Sequence, residues 1–140
     1  MTEKPFKDAS VRSAFMAFPD EARQTLMEMR EILFRAADET PGVGNITECL
    51  KWGEPSYLPA KSGVGTTVRL AWKNKQPSMV SVFLHCQTNL VQRIREIYPD
   101  IFEFGGNRQL SMPVGASLPE EELKHCFSIA LTYHLRKNSG

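Results

Sequence analysis

The sequence predicts an α+β fold: one domain, residues 1–140, with a curved antiparallel β-sheet on which N-terminal, middle and C-terminal helices pack. Three observations carry that prediction. The first forty residues hold a long stripe of apolar positions at helical spacing, the middle holds two segments of matched β alternation, and the end holds a second helical stripe. No repeat, low-complexity tract or charged tail divides them, so a second domain is not expected.

The N-terminal helices are expected over about residues 10–38. Ser10 is placed to cap a short helix from Val11 to Phe18, and Pro19 fits the first turn of a second beginning near Asp20. In FPDEARQTLMEMREILFRAADE, residues Ala22, Leu26, Met29, Leu33 and Ala36 form one stripe. The charges Glu21, Glu28 and Glu31 interleave with Arg23, Arg30 and Arg35, which reads as a solvated mixed-charge face. TPGVGN, from Thr40 to Asn45, then breaks the pattern.

TTVRLAWK and MVSVFLHC flank NKQPS, and a register centred near Gln76 sets Trp72 opposite Val80, Leu70 opposite Val82 and Val68 opposite Leu84. That face is apolar. The alternate face pairs Ala71 with Ser81, Arg69 with Phe83 and Thr67 with His85, a mixed surface suited to a groove or to water. Thr88 is then expected to cap a helix whose Leu90, Ile94 and Ile97 share a face and which ends at Pro99. FEFGGNRQLSMPV reads as two short extended pieces about a glycine turn. Ser117 and Glu120 have the spacing of a capping box, with Pro119 in the first turn of a last helix running to about Lys137.

Composition excludes several classes. Apolar residues at 41% and charged residues at 24% match a folded globular domain rather than disorder. Lys and Arg number 17 against 16 Asp and Glu, a net charge of +1, which provides no field for a phosphate backbone. Neither nucleic acid nor membrane is expected as a partner. The opening MTEKPFKDAS lacks the pattern of a secretory signal, and no apolar run approaches the roughly 20 residues of a membrane span, so a cytoplasmic location is expected. The oligomeric state is left open.

Two of the three cysteines sit beside histidines, in LHCQT and KHCFS, raising the question of a metal site or a thiol nucleophile. Strand alternation sends Cys86 to the core and His85 to the mixed face beside Phe83. In the last helix His125 falls on the polar side and Cys126 at the border of the buried stripe, while His134 aligns with that stripe and is expected to be a hydrogen-bonded core residue. Neither pair can act as a unit. No C-x-x-C, G-x-S-x-G, H-E-x-x-H or phosphate-loop pattern occurs, so no catalytic residue, metal ligand or cofactor is assigned. SGVGTT and EFGGNR read as turns.

The remaining candidates are aromatic and charged. KWGEPSYL places Lys51, Trp52, Glu54 and Tyr57 around a bend set by Gly53 and Pro55. They suit the rim of a small-molecule pocket, because aromatics supply apolar contact and charges fix orientation; equally, Trp52 and Tyr57 suit anchoring a bent strand to the core. Arg69 and Arg108, in extended segments, suit a carboxylate or phosphate, or structural pairing with Glu48, Glu54 or Glu103.

In order along the chain, ECLKWGEPSYL, TTVRLAWK, VFLHCQTNL, GNRQLSM and LKHCFSIALTYH resemble the successive blocks of the YdhG-like family, domain of unknown function 1801, a bacterial group. The resemblance runs over about residues 46–134. It implies a compact α+β domain with helices on a curved antiparallel sheet, and it transfers no catalytic residue. Trp52, Pro55, Tyr57, Arg69, His85 and Arg108 are where this chain matches the pattern. Some relatives are described as frataxin-like iron chaperones that use carboxylates on an exposed helix, and the interleaved arginines here depart from that pattern.

The expected function is a non-enzymatic small-molecule-binding module with Trp52, Glu54, Tyr57, Arg69, Phe83, His85 and Arg108 as its ligand-binding set. Weak frataxin-like iron binding through Glu21, Glu28 and Glu31, an enzyme with His85 as general acid or base, and a protein-interaction surface are the alternatives.

Overall fold

A computed structural model of the chain describes residues 4–85 and 87–135. Its fold is α+β, as expected. The helices are α1 (Ala9–Met16), α2 (Asp20–Glu39), α3 (Leu90–Ile97) and α4 (Glu120–Leu131). The strands are β1 (Ile46–Lys51), β2 (Glu54–Pro59), β3 (Val68–Ala71), β4 (Met79–Phe83), β5 (Glu103–Gly105) and β6 (Gln109–Pro113). They form one antiparallel sheet in the order β1-β2-β3-β4-β6-β5. No described helix is long and apolar enough to cross a membrane.

The central hairpin has the expected register, with Leu70 opposite Val82, Arg69 opposite Phe83 and Ala71 opposite Ser81. One face of the sheet carries Tyr57, Val68, Leu70, Val80, Val82, Leu110 and Met112, and onto it pack the buried residues of all four helices in one core. The expected α2 stripe of Ala22, Leu26, Met29, Leu33 and Ala36 is buried there throughout.

Helix ends depart from the sequence reading because nearer groups take the caps. Asp8, not Ser10, caps α1, its carboxylate accepting the Ser10 N–H at 2.9 Å. Pro19 and Pro119 stand at the N-caps of α2 and α4, and Ser117 makes no capping bond. Asp20 and Glu21, and Glu120, Glu121 and Glu122, instead place negative charge in those first turns. Thr88 lies one residue before the Asn89 cap of α3, although its hydroxyl does accept the Leu90 N–H at 3.4 Å. Ile97 turns out to be exposed, and Val91 joins Leu90 and Ile94 in the core instead.

The loop before β3 ends α4 early. Thr66 N–H reaches the Ala130 carbonyl at 3.0 Å, and the N–H groups of His134 and Leu135 both donate to the Val64 carbonyl. Gly65 makes the approach possible, since a Cβ there would stand 2.1 Å from the Leu131 carbonyl oxygen. The helix is therefore interrupted at Thr132, which takes His134 off the apolar stripe and leaves it half-buried against Tyr133. Lys137 lies outside the described residues, as does Cys86.

The largest departure from the sequence reading is Arg30. Its spacing to Leu26, Leu33 and Ala37 puts it inside the buried arc of α2, and its side chain is 0% exposed rather than solvated. The guanidinium donates through Nε and Nη2 to the two oxygens of Glu48 on β1, and through Nη1 to the Lys4 carbonyl at 2.6 Å. Tyr57 on β2 donates its hydroxyl to Glu48 Oε2 at 2.6 Å. The Phe6 and Phe34 rings lie 4.0 and 5.0 Å from the guanidinium carbon. Burial alone would lower the Arg30 pKa, but the hydrogen bond and charge of Glu48 outweigh it and the net direction is upward. Burial, and then the Glu48 charge, push the Tyr57 hydroxyl up, so it remains a donor.

Removing one member of such a cluster strands the others. Arg30→Met is expected to cost about 3–5 kcal/mol in urea unfolding, because it leaves the Glu48 carboxylate buried without its cation. Tyr57→Phe is expected to cost about 1–3 kcal/mol. Pairing Arg30→Met with Glu48→Leu is expected to recover much of the single-variant loss, and an additive double variant would contradict this account.

Candidate functional site

The face of the sheet opposite the core holds the candidate residues. It carries Cys49 opposite Ser56, Ser56 opposite Arg69, Arg69 opposite Phe83 and Phe83 opposite Gln109, with Ala71, Ser81 and Ser111 in the next row. Small residues thus floor the middle of the face. Ser56, Ser81 and Ser111 are buried beneath larger neighbours. Gln109 Nε2 donates to the hydroxyls of Ser81 and Ser111 at 2.9 and 3.1 Å. Its side chain crosses Gly105, where a Cβ would meet Oε1 at 2.3 Å.

At one end of this face Lys51, Trp52, Thr67, Arg69, Phe83, Leu84 and His85 line a cavity of about 220 Å³. Four of the seven candidate residues, Trp52, Arg69, Phe83 and His85, are therefore brought together. Arg69 stands with its guanidinium carbon 5.1 Å from the Phe83 ring centre and its Nε 2.7 Å from Glu54 Oε1. That N–H is not aimed along a hydrogen-bond direction, so the contact with Glu54 is chiefly coulombic. Lys73 pairs with the other Glu54 oxygen and lies 5.5 Å from the Phe83 ring centre. His85 Nδ1 accepts the Gln87 N–H at 3.1 Å, so a neutral imidazole carries its proton on Nε2.

The other three candidates are placed differently. Tyr57 is fully buried on the core face, because its position in β2 is odd where Glu54 and Ser56 are even about the turn, and it serves Glu48. Glu54 supports the site by holding Arg69 and Lys73 without lining the cavity. Arg108 is exposed in the turn between β5 and β6, where its carbonyl accepts the Leu84 N–H, and it does not line the cavity. Lys51, Thr67, Leu84 and Lys73 join the site beyond the expected set. The Thr67–His85 pairing signals Thr67, and alternation from Arg69 through Ala71 signals Lys73.

Trp52 does not anchor a strand. Lys51 pairs with Glu54 across a two-residue turn in which Trp52 and Gly53 have φ of 56° and 76°. Both positive values are those of the type I′ hairpin turn, whose first place usually belongs to asparagine, aspartate or glycine. A left-handed conformation costs a side-chain-bearing residue roughly 1–2 kcal/mol. The indole is 89% exposed. The fold gains nothing from tryptophan there.

The His125–Cys126 dipeptide forms no site, and the Cys86 of the other pair lies outside the described residues. His125 is exposed on α4 and bonds Tyr98 Oη through Nδ1 at 2.6 Å, while Cys126 is buried in the core. Burial pushes the Cys126 thiol up to about 12, the reverse of what a nucleophile needs. Among the described residues no three His, Cys, Asp or Glu side chains gather to hold a metal ion. Glu31 instead accepts the Lys4 N–H. Other concavities lie between α1 and α2, and between α2 and the start of α4. Comparison of the chain with family models, with curated proteins and with solved structures found no match.

Replacing Trp52 by asparagine gives the turn its preferred dipeptide. Trp52→Asn is expected to raise stability by about 1 kcal/mol in urea unfolding, and a loss would show that the indole holds the hairpin. Alkaline pH acts through Cys126. An unfolded thiol releases its proton near 9.0 and the folded one near 12, so over that range the unfolded chain binds fewer protons and stability falls as pH rises. Cys126→Ala is expected to flatten that fall, read as the urea midpoint against pH.

Proposed function

We propose that this chain is a non-enzymatic module that binds a small molecule in the outer-face cavity. The observation that carries this reading is Trp52, a large apolar side chain held exposed in a left-handed turn at the rim of a concavity. A strained residue without a folding benefit is a sign of function. The cavity adds an aromatic floor in Phe83, cations in Lys51 and Arg69, and an imidazole in His85, which is the mixture that orients small ligands. Among the described residues His85 bonds no second side chain, its Nδ1 being occupied by the backbone of Gln87.

The YdhG-like blocks support the same reading. Trp52 comes from ECLKWGEPSYL, Thr67 and Arg69 from TTVRLAWK, and Phe83 and His85 from VFLHCQTNL, so three separate blocks converge on one cavity. We infer that the chain belongs with that family and that this cavity is where its members share a role. Among the described residues the α2 carboxylates do not gather around a common metal position, which favours the small-molecule reading over the frataxin-like one.

Fragment binding followed by two-dimensional amide and indole NMR tests the proposal. Hits are expected to shift the signals of Lys51, Trp52, Thr67, Arg69, Phe83 and His85 together, and Trp52→Ala to abolish the shifts. Hits confined to the α1–α2 concavity, or a protein partner captured through Trp52 with no fragment binding, would overturn it.

A further inference from the structure

The side chains around this cavity point to the class of molecule it takes. We propose that it binds a single-ring aromatic carboxylate, the ring stacked on Trp52 and the carboxylate held by Arg69 and Lys51. The inference rests on the reading of the cavity as a binding site and adds the identity of the ligand.

Charge is the first argument. Lys51, Arg69 and Lys73 supply three cations to this end of the sheet, against the single carboxylate of Glu54. Glu54 is shared between Arg69 and Lys73, while the Lys51 ammonium takes no partner among the described residues. An anion entering here meets uncompensated positive charge.

Geometry is the second. The 2.7 Å contact with Glu54 is made at Nε, and neither terminal nitrogen of Arg69 makes a hydrogen bond among the described residues, so its two-nitrogen end keeps its donors uncommitted. Those two parallel N–H groups match a carboxylate bidentately, with a fit that a spherical anion cannot reproduce. The other polar groups on the wall are of the same kind. Lys51 is a donor only, His85, whose Nδ1 accepts from the backbone, presents N–H at Nε2, and Thr67 can donate its hydroxyl, so ligand oxygens are favoured over ligand N–H groups.

Shape is the third. A volume of about 220 Å³, larger than the roughly 150 Å³ apolar cavity that takes a benzene, is enough for one ring with a carboxylate. Phe83 already has Arg69 and Lys73 close to its ring, whereas Trp52 has no ring or cation contact among the described residues. The indole is therefore the free stacking surface, and it favours a flat ring over a puckered one.

Benzoate, benzamide and cyclohexanecarboxylate, titrated in turn into the full chain, separate these arguments, with the Trp52 indole N–H and the Lys51 and Arg69 amides as reporters. Benzoate is expected to bind saturably and at least about tenfold more tightly than either analogue. Arg69→Gln and Lys51→Gln are each expected to weaken benzoate by about tenfold, while Glu54→Gln retains or tightens it. Benzamide binding as tightly as benzoate would refute the role of charge, and cyclohexanecarboxylate doing so would refute stacking. Either result removes the aromatic carboxylate and leaves the cavity as a binding site. If none of the three, and no fragment of any kind, moves these signals, both readings fall.

Discussion

The guanidinium of Arg30 is the interaction on which the rest of this structure depends. A buried cation is tolerable only when its charge is paired and its N–H groups are bonded. Arg30 meets both conditions by drawing in groups from four places, Glu48 on β1, Tyr57 on β2 through Glu48, the Lys4 and Pro5 carbonyls, and the rings of Phe6 and Phe34. A hydrophobic contact at this point would tolerate sliding. A bidentate ion pair with a fully used fork does not, so α2, the first hairpin and the segment before α1 are held in one mutual arrangement.

That arrangement reaches the opposite face through the period of the strands. Along β2, Tyr57 turns inward to Glu48 while Glu54 and Ser56 turn outward, and along β1, Glu48 turns inward while Cys49 and Lys51 pair with their outward neighbours. A slip of one residue in β2 would bury Glu54 and expose Tyr57, and one in β1 would turn Glu48 outward. The network under the sheet therefore sets the register that puts Lys51 and the Trp52 turn beside Arg69. Glu54 carries this order one strand further by fixing Arg69 and Lys73. Core and cavity are two consequences of the same pairing.

Much of this was legible in the sequence, and the gaps have physical causes. Alternation gave the register of the central hairpin over residues 69–71 and 81–83, and with it the placing of Arg69 and Phe83 on one face, because that face is decided by a period of two. The same rule, applied to KWGEPSYL, separates Glu54 from Tyr57, but only once the turn is known to hold two residues. Arg30 was hidden because a charge on an amphipathic helix is ordinarily solvated, and its partners lie in strands far along the chain. Arg108 read as extended, yet it stands in the turn, and because Gln109 faces outward opposite Phe83, alternation would have sent Arg108 to the other face in any case. Cap assignments failed where two polar groups compete within two residues, as Asp8 does with Ser10.

Two residues break the local rules, and they break them differently. Arg30 puts a charge in a core, and the structure answers with partners on every side, so the violation is explained within the fold. Trp52 puts an indole where asparagine or glycine belongs, and the structure supplies neither burial nor a hydrogen bond in return. A sequence under selection for stability alone has no reason to keep such a residue in a turn that shorter side chains satisfy. If the cavity binds a ligand as proposed, the compensation lies outside the folded chain, in the molecule that rests against the indole. The cationic cavity next to it has donors to spare and one free aromatic surface, which is why the proposed partner is flat, small and negatively charged.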